Sequence, residues 1–139
     1  MTVYFDASIF LRVLLRDGLV LPGWSEFAAP FTSRLTLIEI RRVIDRLRLS
    51  GRVPDEDFSD LANMAGRLHE GLQIVPLVDE VLVRAGQPMG VVVGTLDAIH
   101  LASALVLREE VPDLVFATHD RQQAIGARAL GFEVIGIHL

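Results

Sequence analysis

Short apolar runs alternate with amphipathic stretches along the chain. VYF at 3–5 predicts a strand, and residues 7–16 a helix with Leu11, Leu14 and Leu15 on one side. DGLVLPG at 17–23 has Gly and Pro at its ends and predicts a break; 24–29 has room for one helical turn. FTS at 31–33 predicts a brief strand. Over 37–50, Ile40, Val43, Ile44 and Leu47 recur at helical spacing on one face, until SGRVP ends the pattern. A less strongly patterned helix is predicted over 55–69, a strand over 72–77 (LQIVPL) and a short helix over 79–86. QPMGVVVG at 87–94 predicts a loop with an apolar centre. Residues 96–108 are apolar on nearly every side, as in a buried helix. LVFAT at 114–118 is a buried-type strand, 121–130 a helix closed by Gly131, and EVIGI at 133–137 a last strand.

Strands alternating with helices predict a central, mostly parallel sheet of about five strands covered on both faces, a three-layer α/β/α domain. Its 139 residues suffice for one domain spanning 1–139 with its own core. In such sheets sites form at the carboxyl ends of the strands, where the next helix begins.

Four acids fall at those places: Asp6 after VYF, Glu39 in Thr36-Leu37-Ile38-Glu39, Asp97 after Thr95, and Asp120 after LVFAT. Each has an ordinary explanation. Asp6 and Asp120 suit helix N-caps, Thr36 and Glu39 fit a capping box, and Asp97 favours the helix dipole. Asp97 stands out because its helical neighbours, Leu101 and Ala104, are apolar. If the four helix starts share one edge, their carboxylates gather in one crevice and repel by several kcal/mol at low dielectric. A cation relieves this, and an oxygen-only donor set selects a hard divalent ion, Mg²⁺ or Mn²⁺.

Charge and composition change the picture only in part. The net charge of −5 argues against a nucleic-acid ligand, but setting the four acids aside leaves 14 acidic against 13 basic residues, a net of −1. All the basic residues are arginine. Arg42 and Arg46 lie on Glu39's side of their helix and are candidates to meet RNA phosphates, whereas Arg41, Arg48 and Arg52 face nearly the opposite way; a solvated helix face explains all five equally well. The absence of cysteine excludes disulfides and thiolate metal sites and fits the cytoplasm. No apolar run of about 18 residues is free of charge, so no membrane span is expected. Asp6 and the missing basic start argue against a signal peptide.

VYFDAS, SRLTLIEIRRV, LDAIHLASA and LVFATHDRQQAIGARALGFEV, in this order, resemble the motifs of the PIN-domain ribonucleases, most closely the toxin half of VapBC toxin–antitoxin pairs. The resemblance covers essentially the whole chain. It implies a Mg²⁺- or Mn²⁺-dependent endoribonuclease with Asp6, Glu39, Asp97 and Asp120 as its acids, and Ser8 and Thr118 as hydroxyls that orient them. It also implies a homodimer silenced by an antitoxin protein. The apolar segments at 91–93 and 19–24 are the candidate surfaces for those partners.

In such a site the ion activates water for in-line attack on the phosphodiester, and no protein nucleophile is needed. His100 is expected to be a hydrogen-bonded core histidine, and His119 to point away from the site or to solvent. Asp120, as the N-cap of 121–130, is expected to sit at the periphery of the metal site. Ser8 lacks a nucleophile-elbow pattern. No glycine-rich loop follows the first strand, against a dinucleotide binder, and a receiver-type acid cluster lacks its lysine. The rival from another class is a non-catalytic PIN-like module that binds RNA or a protein partner. A DNA-directed flap-type nuclease would need more chain.

Overall fold

The computed structural model describes residues 1–15 and 30–137; the expected break at 17–23 and helical turn at 24–29 lie outside them. In chain order the elements are β1 (Val3–Phe5), α1 (Ala7–Leu15), β2 (Phe31–Ser33), α2 (Arg34–Leu49), α3 (Asp55–Arg67), β3 (Gln73–Val75), α4 (Asp79–Ala85), α5 (Thr95–Arg108), β4 (Val115–Ala117), α6 (Arg121–Ala129) and β5 (Val134–Ile135). A 3₁₀ turn at Leu68–Gly71 follows α3.

The five strands pair in the order β3-β2-β1-β4-β5, all parallel. β1 is central, and its three residues are fully buried, which is why VYF is apolar throughout rather than alternating. The pleat nevertheless divides them. Tyr4 joins Phe116, Val81, Leu101 and Ala127 on the face covered by α4, α5 and α6. Val3 and Phe5 join Ile9, Phe10, Ile40, Ile44 and Ala65 on the face covered by α1, α2 and α3. The expected three-layer α/β/α arrangement follows, with a core on each side of the sheet.

β1 and β2 have the expected bounds, and the last three strands are shorter than expected. Pro76 has no N–H for the ladder, so β3 stops at Val75. Gly136, at φ +94°, turns the chain after β5, and an added Cβ there would stand 2.5 Å from the Thr118 carbonyl oxygen. α2 starts three residues before the expected 37. Ser33 ends β2 and caps α2, its hydroxyl accepting the N–H of Leu35 at 3.0 Å. The anticipated capping box of Thr36 and Glu39 is therefore not formed. Thr36 instead shares a 2.7 Å hydroxyl bond with Thr32, and Glu39 lies in the second helical turn.

Candidate active site

Parallel strands followed directly by helices bring the starts of α1, α2, α4 and α6 to the carboxyl edge of the sheet. The strand order reverses at β1 and β4, so the crevice at their ends is the natural ligand position. Asp6 lies there, immediately after β1, with its N–H donating to the Ala117 carbonyl at 3.2 Å. Its carboxylate is buried. Oδ1 accepts the Ser8 N–H at 3.1 Å and the Ser8 hydroxyl at 2.5 Å; Oδ2 accepts the Thr118 hydroxyl at 2.5 Å. Ser8 and Thr118, the two hydroxyls named from the resemblance, thus both bond to Asp6. Each also accepts from the β4–α6 turn, Ser8 from His119 N–H at 2.8 Å and Thr118 from Asp120 N–H at 3.0 Å. Burial raises the Asp6 pKa; the nearby His100 and the bonds from Ser8 and Thr118 pull the other way.

Asp120 is the N-cap of α6, its Oδ1 accepting the N–H of Gln123 at 2.9 Å. Asp6 likewise bonds an N–H in the first turn of α1. Capping therefore does not set Asp120 apart from Asp6. Asp97 is different: Gly94 precedes α5 as its N-cap, no side chain caps that helix, and Asp97 occupies its first turn. Its pKa is raised, by partial burial first, then by the charges of Asp120 and Glu39, with His100 opposing. The fully buried Gln123 donates its amide to the Asp97 carbonyl at 3.3 Å, which ties the start of α5 to α6 and sets Asp97 relative to Asp120.

Glu39 reaches the same region from α2. Its Oε1 accepts from His100 Nε2 at 2.5 Å, and His100 Nδ1 lies 2.7 Å from the Tyr4 hydroxyl. His100 is a buried, hydrogen-bonded histidine as expected, but it is bonded to a candidate acid rather than enclosed in the core. His119 is also buried, not turned to solvent, and its Nδ1 donates to the Gly136 carbonyl at 2.7 Å. Tyr4 and Gln123 carry no motif that marks them as parts of the site, and His100 reads in the sequence as a core histidine, because the partners of all three are remote in sequence.

The sequence-predicted RNA contacts are exposed. Arg42 pairs with Asp45 at 3.2 Å, and Arg46 lies on the solvent side of α2. Arg48 bonds Asp45 at 3.1 Å and lies over the Phe58 ring at 4.8 Å. Arg41, expected to face away from Arg42, lines the same cleft between α2 and α3. That cleft, of about 610 Å³, also holds Arg34, Ile38 and His69.

Among the described residues, no three acidic or imidazole groups converge closely enough to hold one ion as they stand. Asp6, Glu39 and Asp120 each turn an oxygen toward a donor of the protein. The donor chemistry still fits a hard divalent cation. The groups are oxygen-only, and Asp97 carries repulsion from two carboxylates that a dication relieves.

Comparison with known proteins gives consistent results. The PIN domain family model matches residues 3–128. Ribonuclease VapC47 of Mycobacterium tuberculosis is 32% identical over 139 residues, covering 94% of this chain and 93% of that protein. Among solved structures, VapBC2 from Rickettsia felis, bound to a DNA fragment from their promoter, superposes with a TM-score of 0.64 at 11% identity, covering 97% of this chain and 98% of that chain. PAE2754 from Pyrobaculum aerophilum gives 0.63 at 20% identity, with 96% and 92% covered.

Proposed function

The chain belongs to the PIN-domain family, and from that premise we propose that it is a toxin endoribonuclease of the VapBC kind, hydrolysing RNA phosphodiester bonds with Mg²⁺ or Mn²⁺. The observation that carries the reading is Asp97. It is a partly buried, uncapped carboxylate whose pKa is raised by burial and by the charges of Asp120 and Glu39 at the strand ends. A bound cation relieves that repulsion.

Asp6, Glu39, Asp97 and Asp120 would hold the ion. Bound there, a divalent cation lowers the pKa of a water and stabilises charge on the phosphate. The protein's own groups do the positioning. Asp6 is immobilised by the Ser8 and Thr118 hydroxyls, Asp120 by its cap bond, and Asp97 by the rigid start of α5. Arg42 and Arg46 lie on the Glu39 side of α2, where phosphates flanking the scissile bond would pass. Arg34 and Arg41 extend the same positive surface into the α2–α3 cleft.

An antitoxin and a second copy of the chain are the proposed protein partners. Val78, Leu82 and Val83 of the α4 region, with Val92 and Leu96 around the start of α5, are exposed apolar residues. They include part of the segment 91–93 singled out in the sequence; the segment 19–24 lies outside the described residues. No described helix is long and apolar enough to cross a membrane, and a cytoplasmic location, where RNA is at hand, is part of the proposal.

The deciding experiment is cleavage of structured RNA by the purified chain with Mn²⁺ or Mg²⁺ and with EDTA. Cleavage with metal and none with chelator is expected; undiminished cleavage after thorough chelation would remove the mechanism. Growth arrest on expression in a bacterial host, lost in Asp97→Asn, is the matching cellular result.

A further inference from the structure

Resting on the nuclease reading, we propose that His100 is the positioning residue for Glu39, holding its carboxylate at the sheet edge through a buried Tyr4–His100–Glu39 chain. Tyr4 anchors the chain. Its ring is fully buried in the central strand, 5.2 Å from the Phe116 ring, and cannot shift without disturbing the core. Its hydroxyl is therefore a fixed point. His100 Nδ1 lies 2.7 Å from it, and Nε2 lies 2.5 Å from Glu39 Oε1.

Hydrogen-bond chemistry orders this chain. An ionised carboxylate only accepts, so Nε2 carries the proton and donates to Glu39. Nδ1 and the Tyr4 hydroxyl form the second bond, a phenol hydroxyl being able to donate or accept. Tyr4 thereby fixes the orientation of the imidazole toward Glu39, as a hydrogen bond to the far nitrogen does for metal-ligating histidines.

Glu39 needs such support more than the other acids. Asp6 and Asp120 have short side chains secured by N–H groups and hydroxyls. Glu39 has a longer side chain, in the second turn of a helix and partly exposed. The His100 bond takes Oε1 and leaves Oε2 with no donor among the described residues. A purely packing role would be served by an apolar side chain like its neighbours Leu101 and Ala104, without two aligned polar partners.

The test is calorimetric titration of Mn²⁺ into wild type, His100→Leu, His100→Gln and Tyr4→Phe, each first shown to melt cooperatively. Nitrogen-15 imidazole spectra are recorded without metal. The wild-type spectrum is expected to place the His100 proton on Nε2. His100→Leu should weaken Mn²⁺ binding roughly 10–100-fold, the usual cost of losing a partner that orients a ligand. His100→Gln, which keeps an amide donor for Glu39, should recover most of the loss. Tyr4→Phe keeps the ring and loses only the anchoring hydroxyl, so it should fall between. If His100→Leu does not fold, the order wild type, His100→Gln, Tyr4→Phe carries the same information. Equal Mn²⁺ affinity across the folded variants, or a bare Nε2 in the wild type, overturns the role of His100 alone. A folded wild type that binds no Mn²⁺ overturns the nuclease reading and this role together.

Discussion

Thr118 and Asp6, 112 positions apart, meet across the β1–β4 boundary: the Thr118 hydroxyl donates to Asp6 Oδ2 at 2.5 Å while accepting the Asp120 N–H at 3.0 Å. One fully buried oxygen thus serves two of the candidate acids. Thr118→Val keeps the shape and removes both bonds. A buried carboxylate and a backbone N–H each lose a partner, and we expect a stability loss of about 2 kcal/mol by urea denaturation, with RNA cleavage reduced roughly tenfold or more. A variant as stable and active as wild type would show the bond to be incidental.

Asp97→Asn tests the repulsion directly. Burial, then Asp120 and Glu39, raise the Asp97 pKa in the fold above the ordinary aspartate value of about 3.9. Between these two values the folded protein holds more protons than the unfolded chain, so stability falls as pH rises through that window. The penalty is fully present above the folded pKa and absent below the unfolded one. Metal-free Asp97→Asn should therefore melt above wild type at pH 7, with the gap closing in acid. Melting curves over pH decide it; a lower melting temperature at pH 7 would mean that the carboxylate is structural.

At Asp120 the cap and the charge can be separated. Asn caps helices about as well as Asp, whereas Ala costs about 1 kcal/mol. Asp120→Asn should match wild-type stability and lose only part of its activity, and Asp120→Ala should lose stability as well. Chemical denaturation beside RNA cleavage distinguishes the two, and complete inactivity of a stable Asp120→Asn would place this acid at the centre of the site.

Gly136→Ala forces a side chain into a left-handed position whose Cβ would lie 2.5 Å from the Thr118 carbonyl. The turn also carries the carbonyl that binds His119. We expect a loss of about 2 kcal/mol or more in denaturant unfolding; a neutral result would mean that the chain after β5 moves freely aside.

For the apolar face, Val83→Glu with Val92→Glu puts charge at two exposed positions, 62% and 87% accessible. Sedimentation of wild type at tens of micromolar should give a dimer, the affinity order of a standard-size interface, and the double variant a monomer. A monomeric wild type would remove the homodimer and leave the antitoxin as the partner to seek.

The chain itself determines the layered alternation and the positions of Asp6, Asp97 and Asp120, because these depend on local features: apolar runs such as VYF, helical spacing such as Ile40 to Leu47, and acids placed where a strand meets a helix. It misplaced the start of α2, since Ser33 and Thr36 both suit a cap and only the pairing of Thr36 with Thr32 chooses between them. Which partner holds the oxygens of Asp6, Glu39 and Asp120 was decided by tertiary structure alone. Glu39 meets His100 from 61 positions away, and Tyr4 meets His100 from 96. Sequence spacing carries no record of such contacts. They arise because the parallel sheet brings helix starts from distant parts of the chain to one edge, where a hydrogen bond requires angles and distances that only the packed fold sets.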